Sequence, residues 1–149
     1  MSKQNLNERS AVTALLQLSG KITIKQARDV LKSRGLMPAA EDIIEEGELD
    51  YTRGILQKTR EYKDSDGNKA GFVHLFERLK DGSKADYWKK PGDMTIRESV
   101  QDLTYWHRYR TKGEQRLRER FDLYARIHGR KRLLKKVPVE LQGEFALAE

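Results

Sequence analysis

Apolar side chains in this sequence are few, and most of them recur at the three- and four-residue spacing of an amphipathic helix. Charged residues make up 36% of the 149 residues, and the mean hydropathy is −0.83. Little apolar material therefore remains for a core. This pattern predicts one compact domain with a small core, a helical appendage and long charged helices on the outside.

The N-terminal third predicts two helices separated by a short β-prone segment. The first helix, LNERSAVTALLQLSG, is expected to stop at Gly20, a residue suited to the end of a helix. The segment KITI follows. Thr23 and Gln26 then form a capping box that opens a second helix over about 24–34.

Two more helices are expected before residue 63. PAAEDIIEE opens at Pro38 and is predicted to break at Gly47. Asp50 then caps a further helix, YTRGILQKTREY. Four residues of this helix are expected to face inward: Ile55, Leu56, Thr59 and Tyr62.

The spacing of the apolar residues then changes from that of a helix to the alternation of β-strands, which predicts a β-hairpin. DSDGNKAG has the composition of a turn, and GFVHLFERL alternates as a strand does. KDGSK contains an Asp-Gly turn, and ADYW returns antiparallel.

Two helices are predicted beyond KKPGD, with a turn around residues 111–113. Thr95 and Glu98 form the capping box of the first helix. Its apolar stripe consists of Ile96, Val100, Leu103 and His107. The stripe of the second helix, which ends at Gly129, consists of Leu117, Phe121, Tyr124 and Ile127.

These elements predict a mainly α protein with a small β-hairpin, an α+β fold. The predicted parts are a core over residues 1–92, a basic helical extension over 93–137 and a tail over 138–149. The tail carries no predicted element.

The order helix, short strand, helix, helix, β-hairpin resembles that of the winged helix-turn-helix DNA-binding domain. AVTALLQLSGKITIKQARDVLKSRGL resembles the opening of that domain, and GFVHLFERLKDGSKADYW resembles its wing, over residues 5–90 in all. The resemblance implies a winged-helix-like core that binds duplex DNA through a recognition helix.

PAAEDIIEE is too acidic to lie against phosphates, so the following helix is the candidate recognition helix. PAAEDIIEEGELDYTRGILQK would then be the helix-turn-helix, with GELD as its turn. Arg53, Gln57 and Arg60 are predicted on the outer face of this helix. Arginine reads guanine and glutamine reads adenine. An ordinary solvated helix face would explain the same residues.

Lysines cluster at the tip and the exit of the predicted wing, where they would meet the DNA backbone. They are Lys80, Lys84, Lys89 and Lys90. Lysines also protect hairpin edges from aggregation, so both explanations stay open.

The basic excess of the chain lies in residues 104–136, where twelve Lys and Arg face three acids. Unbalanced charge of this density costs folding free energy, which indicates an anionic partner. The residues predicted to contact phosphates here are Arg116, Arg120, Arg130, Lys131, Arg132, Lys135 and Lys136. The aromatic residues of the segment that are predicted to lie in the core are Trp106, Phe121 and Tyr124. An acidic protein partner and a plain solvated face are the alternatives.

No catalytic, cofactor or metal constellation is predicted. The chain has no cysteine, and its three histidines lack metal-ligand spacing. DSDGNK imitates an EF-hand loop but has Lys69 where glycine is needed and Leu75 where glutamate is needed. We also expect no signal peptide and no membrane span, and a cytoplasmic or nucleoid-associated location.

The sequence therefore predicts a non-enzymatic DNA-binding protein, either a small transcriptional regulator or a DNA-binding accessory of replication or of a mobile element. One alternative is an interaction module that docks its helical hairpin on an acidic partner or a nucleoprotein complex. RNA binding is a further alternative. A homodimer is compatible with the acidic and basic ends of the chain.

Overall fold

The computed structural model describes residues 3–38, 44–109 and 114–146. The chain forms two compact units, Met1–Asp93 (unit 1) and Met94–Glu149 (unit 2). The described residues are mainly helical with one two-stranded antiparallel sheet, which confirms the predicted mainly α fold class.

The helices and strands of each unit follow one another in simple order. Unit 1 contains α1 (Lys3–Leu16), α2 (Ile24–Ser33), α3 (Glu45–Lys58), a 3₁₀ turn (Thr59–Glu61), β1 (Val73–Arg78), β2 (Lys84–Lys89) and a second 3₁₀ turn (Pro91–Asp93). Unit 2 contains α4 (Ile96–Tyr109), α5 (Glu114–His128), α6 (Arg130–Lys136) and α7 (Val139–Ala146).

Local side-chain and backbone hydrogen bonds fix both ends of α2. At its start, Thr23 Oγ1 accepts from the Gln26 amide at 3.2 Å, and Gln26 Oε1 accepts from the Thr23 amide at 2.9 Å. This is the predicted capping box. At its end, Gly35 has a φ of 67°, and the Leu36 amide donates to the Leu31 carbonyl at 2.8 Å. That bond closes a Schellman motif, which requires the left-handed conformation that glycine adopts readily.

The predicted hairpin is present, with its register running from Val73 opposite Lys89 to Arg78 opposite Lys84. Ile22, in the β-prone KITI segment, adds a one-residue antiparallel bridge to Trp88. Their amides and carbonyls exchange two hydrogen bonds, at 2.9 and 2.8 Å. The bridge joins the segment between α1 and α2 to the hairpin.

The core of unit 1 is small and draws on three helices and the hairpin. Its buried residues are Ala11, Ala14, Leu15, Ile22, Ala27, Leu31, Ile55, Leu56, Phe72 and Trp88. This composition agrees with the small core expected from the low apolar content.

The predicted helix break at Gly47 is wrong, because α3 runs without interruption from Glu45 to Lys58. GELD therefore lies inside a helix and is not a turn. Glu48, buried in the first turn, has carboxylate oxygens 3.5 Å from Arg28 Nη1 and 3.2 Å from Lys32 Nζ. Acids are also favourable near a helix N-terminus. These contacts offset the cost of about 1 kcal/mol for a helical glycine.

Residues 39–43 of the predicted acidic helix lie outside the described residues, as does the predicted turn at 111–113. The prediction that Tyr62 faces inward is wrong, since its side chain is 47% exposed. The reason is local: α3 has already ended at Lys58, and Tyr62 has extended dihedral angles.

Gly71 lies where two backbone segments meet. Thr59 is fully buried, and its Oγ1 donates to the Leu56 carbonyl at 2.6 Å and accepts from the Phe72 amide at 3.0 Å. A Cβ atom at Gly71 would lie 1.6 Å from the Thr59 carbonyl oxygen. The junction between α3 and β1 therefore requires glycine at this position.

Unit 2 has a core of its own, to which α7 contributes. Trp106, Phe121 and Tyr124 are buried, as predicted, whereas Ile127 is 39% exposed. The Phe145 ring stacks on the Phe121 ring with 4.0 Å between centroids. The predicted tail therefore contains a packed helix, held by apolar residues at positions 141 and 145.

We predict that Gly71→Ala lowers the free energy of unfolding by about 1–3 kcal/mol, because the added methyl group forces two backbone segments apart. Urea denaturation followed by circular dichroism measures the change. The matched control is Gly54→Ala in α3, where a Cβ atom would meet nothing within 4 Å. It should raise stability by about 0.5–1 kcal/mol. Equal stability of Gly71→Ala and wild type would contradict the account of this junction.

Candidate nucleic-acid interface

The three residues predicted to read base edges from α3, which are Arg53, Gln57 and Arg60, do not share one helical face. Arg53 and Gln57 are exposed on α3. Arg60 instead lies in the 3₁₀ turn, where it is half-buried and its carbonyl accepts from Lys69 Nζ at 3.1 Å. The prediction of three residues on one helical face is therefore wrong for Arg60.

The outer face of α3 also carries acids. Glu46 and Asp50 are exposed on the same side of the helix, about two turns and one turn before Arg53. Arg53 Nη1 lies 2.8 Å from Asp50 Oδ1, so its charge already has a partner. This face is close to neutral and offers little attraction to phosphates.

The end of the hairpin concentrates positive charge; we call residues 78–84 the hairpin tip. Lys80 and Lys84 are exposed, as predicted, and Arg78 lies directly opposite Lys84. Asp81 turns its carboxylate inward to the Ser83 amide and hydroxyl, at 2.9 and 2.5 Å. These hydrogen bonds lower the pKa of Asp81.

The two lysines at the exit of the hairpin do not form an exposed cluster with the tip. Lys90 is half-buried, and its Nζ donates to the Leu16 carbonyl at 2.9 Å. That carbonyl is at the C-terminal end of α1, where the helix dipole favours a cation. Lys89 is half-buried and pairs with Val73 in the sheet. Lys90 is thus engaged within unit 1, and its phosphate contact stays a prediction.

Arg120 is a second correction, because it is buried inside unit 2 with 7% of its surface exposed. Its Nη1 lies 2.6 Å from Asp102 Oδ2, and the Tyr124 hydroxyl donates to the same oxygen at 2.5 Å. The guanidinium carbon lies 4.4 Å from the centroid of the Trp106 ring. Arg120 therefore joins α5 to α4 and does not face solvent.

Tyr124 completes this buried network. Burial raises the pKa of the Tyr124 hydroxyl well above its usual value, and the charge of Asp102 adds to the effect. The hydroxyl therefore keeps its proton and remains a donor to Asp102. A buried carboxylate held by a cation and a neutral donor satisfies the requirement that buried charges be paired.

Arg130 is also engaged within unit 2. Its Nη2 donates to the Phe145 carbonyl at 2.6 Å, and its guanidinium carbon lies 5.5 Å from the centroid of the Phe121 ring. Arg130 thus ties α7 to the rest of the unit, and its phosphate contact stays a prediction. Arg116 lies in α5, but its side chain is outside the described residues.

The remaining predicted cations of α6 form one exposed face. Lys131 and Lys135 lie one turn apart, as do Arg132 and Lys136, and all four are exposed. Leu133, on the opposite side, is fully buried. We call the four residues the cationic face of α6. Among the described residues no carboxylate lies within ion-pair distance of any of them.

Sequence analysis did not single out the outer face of α4. Its exposed residues recur at i, i+4, i+8 and i+11, and they are Arg97, Gln101, Tyr105 and Arg108. The signal was present in the sequence as the polar complement of the apolar stripe on this helix.

We predict that Arg120→Leu lowers the free energy of unfolding by about 3–5 kcal/mol, because it leaves the Asp102 charge buried without its cation. Urea denaturation measures the loss. The control on the same helix, Arg118→Leu, removes an exposed arginine and should change stability by less than about 0.5 kcal/mol. The double variant Arg120→Leu/Asp102→Leu should lose less than Arg120→Leu alone. A double variant at least as destabilised as the sum of the two single variants would overturn this interpretation of the network.

The described residues contain neither a metal-holding cluster nor a membrane-spanning helix. In the described parts of the chain, no three His, Asp or Glu side chains are grouped so that they could hold a metal ion. Within the same residues, no helix is long and apolar enough to cross a membrane. Comparisons with protein-family models, with curated proteins and with solved structures found nothing significantly similar to this chain.

Proposed function

We propose that the protein binds nucleic acid, with duplex DNA as its target, and that the cationic face of α6 supplies phosphate contacts. The observation that carries the proposal is the placement of Lys131, Arg132, Lys135 and Lys136 on one exposed face with no described acid nearby. Lysine and arginine side chains are the usual partners of backbone phosphates.

The energetics favour a polyanionic partner. Each pair of like charges at i and i+4 costs a helix about 0.2–0.5 kcal/mol, and α6 carries two such pairs. Phosphates remove this repulsion and release counterions from the DNA. Each phosphate contact contributes about −0.9 to the slope of log K against the logarithm of salt concentration, where K is the association constant for DNA. Four contacts would therefore contribute about −3.6.

Unit 1 supports the same proposal in a different way. Its order of α1, a bridging segment, α2, α3 and a hairpin resembles that of a winged helix. Arg78 and Lys84 face each other across the hairpin, and like charges directly opposite destabilise a sheet. We propose that the hairpin tip is a second phosphate-contacting surface, while the nearly neutral outer face of α3 takes no part in DNA binding.

In this proposal the protein is a DNA-binding regulator or accessory factor. The described residues supply charged surfaces, and no three His, Asp or Glu side chains among them are grouped so that they could hold a metal ion. Binding is the activity that the experiments below test.

We predict that replacing all four residues of the cationic face of α6 with glutamine weakens binding to a 20-base-pair duplex and flattens its salt dependence. Fluorescence anisotropy at several salt concentrations measures both effects. The slope of log K against log salt should become less negative by about 3–4, because four phosphate contacts are lost. Single-stranded DNA and duplex RNA are measured in parallel, and tighter binding to RNA would replace the DNA target with an RNA one.

The matched control removes the same amount of charge elsewhere. Arg9, Lys25, Lys63 and Arg118 are exposed, and their joint replacement with glutamine should change the slope by less than about 1. Circular dichroism verifies that both variants are folded. If the two variants lost affinity equally, net charge alone would explain the binding and the assignment to α6 would fail.

A further inference from the structure

We propose that the outer face of α4 lies in the major groove and reads base edges, so that the sequence-reading helix is in unit 2 and is not α3. The inference rests on the proposed function, since it names the surface that would give DNA binding its sequence preference. Four residues form this surface: Arg97, Gln101, Tyr105 and Arg108.

The shape of α4 fits this role. The helix has 14 residues, which makes it about 21 Å long at 1.5 Å per residue. The major groove of B-DNA is wide enough to admit an α-helix. The four residues recur at the spacing of one helical face, and Tyr105, in the middle, is 37% exposed. They can therefore point in one direction along the whole helix.

The two arginines of the face carry charge that is unpaired among the described residues. No described carboxylate lies within ion-pair distance of Arg97 or Arg108, in contrast to α3, where Asp50 binds Arg53. Of the two acids of α4, Asp102 is buried and holds Arg120 and Tyr124. Glu98 lies beside the face, where its carboxylate accepts from the Thr95 amide at 2.9 Å and caps the helix.

The residue types match the donors and acceptors of base pairs. Arginine donates two parallel hydrogen bonds to O6 and N7 of guanine, and glutamine pairs with N6 and N7 of adenine. Tyrosine hydroxyls commonly bind phosphate oxygens. Arg97 and Arg108 are separated by a rise of about 16 Å along the helix. At about 3.4 Å per base pair, the preferred site should span about five base pairs.

The buried network makes α4 a rigid reading element. Asp102 is fixed from α5 by Arg120 and Tyr124, and Ser99 Oγ lies 3.0 Å from His128 Nε2. Ser99 is on the side of α4 opposite the proposed reading face, and Asp102 is on the flank between the two. The backbone of a helix held in this way needs no further ordering when it binds, so only its outer side chains lose freedom.

The test is selection of binding sites from a random duplex library, with two variants that conserve net charge. Arg97→Lys/Gln101→Ala/Arg108→Lys removes the bidentate groups of α4 but keeps its charge. Arg53→Lys/Gln57→Ala makes the equivalent change on α3. Wild type should select a motif of about five base pairs. The α4 variant should bind the motif about tenfold or more weaker while its affinity for random duplex and its salt slope stay unchanged. The α3 variant should select the wild-type motif.

The outcomes separate the inference from the proposed function. Binding of wild type to DNA with no selected motif, or retention of the motif by the α4 variant, would overturn the inference and leave the proposed function intact. Loss of the motif in the α3 variant alone would move the reading surface to α3. Failure of wild type to bind any nucleic acid would overturn both.

Discussion

Unit 2 depends on one buried carboxylate. Asp102 of α4 accepts from Arg120 at 2.6 Å and from Tyr124 at 2.5 Å, both of them on α5. Removing one partner of a buried pair leaves a desolvated charge, so these contacts fix how α4 lies on α5. The network also determines which charged side chains of α4 and α5 remain on the surface of unit 2. It engages one acid of α4 and one arginine of α5, whereas Arg97 and Arg108 of α4 stay exposed and take no part in it.

The positive charge of the chain is unevenly divided between the units. Unit 1 has 17 Lys and Arg against 15 acids, whereas unit 2 has 13 against eight. Several of these cations serve the fold, as Lys90 and Arg130 do when they bind backbone carbonyls. Some of the exposed cations lie together on small surfaces, namely the cationic face of α6, the hairpin tip and the outer face of α4. The basic stretch at residues 104–136 is therefore a mixture of core and surface, and its charge count overstates what a partner would meet.

Sequence predicted the elements that depend on neighbouring residues. Hydrogen bonds between residues two or three apart form the capping boxes at Thr23 and Thr95 and the Asp-Gly turn of the hairpin. Both partners therefore appear together in a short stretch of sequence. The intramolecular partners of Arg120, Lys90 and Arg130 were not predicted, because they are 18, 74 and 15 residues away along the chain. A long basic side chain looks the same in a sequence whether it ends in solvent or on a distant carbonyl. The role of a glycine is equally hard to predict from sequence. Gly47 lies within a helix, whereas Gly71 is required by a close contact between two backbone segments.

The central claim is that the unneutralised cations of unit 2 meet phosphates. The measurement that tests it most directly is the equilibrium binding of the wild-type chain to a 20-base-pair duplex across salt concentrations from 50 to 400 mM, values chosen because about a decade of salt resolves the slope. The account predicts a linear fall of log K with log salt and a slope of about −3.6 or steeper, the value for four or more phosphate contacts. A slope near zero, or no binding at the lowest salt, would contradict it.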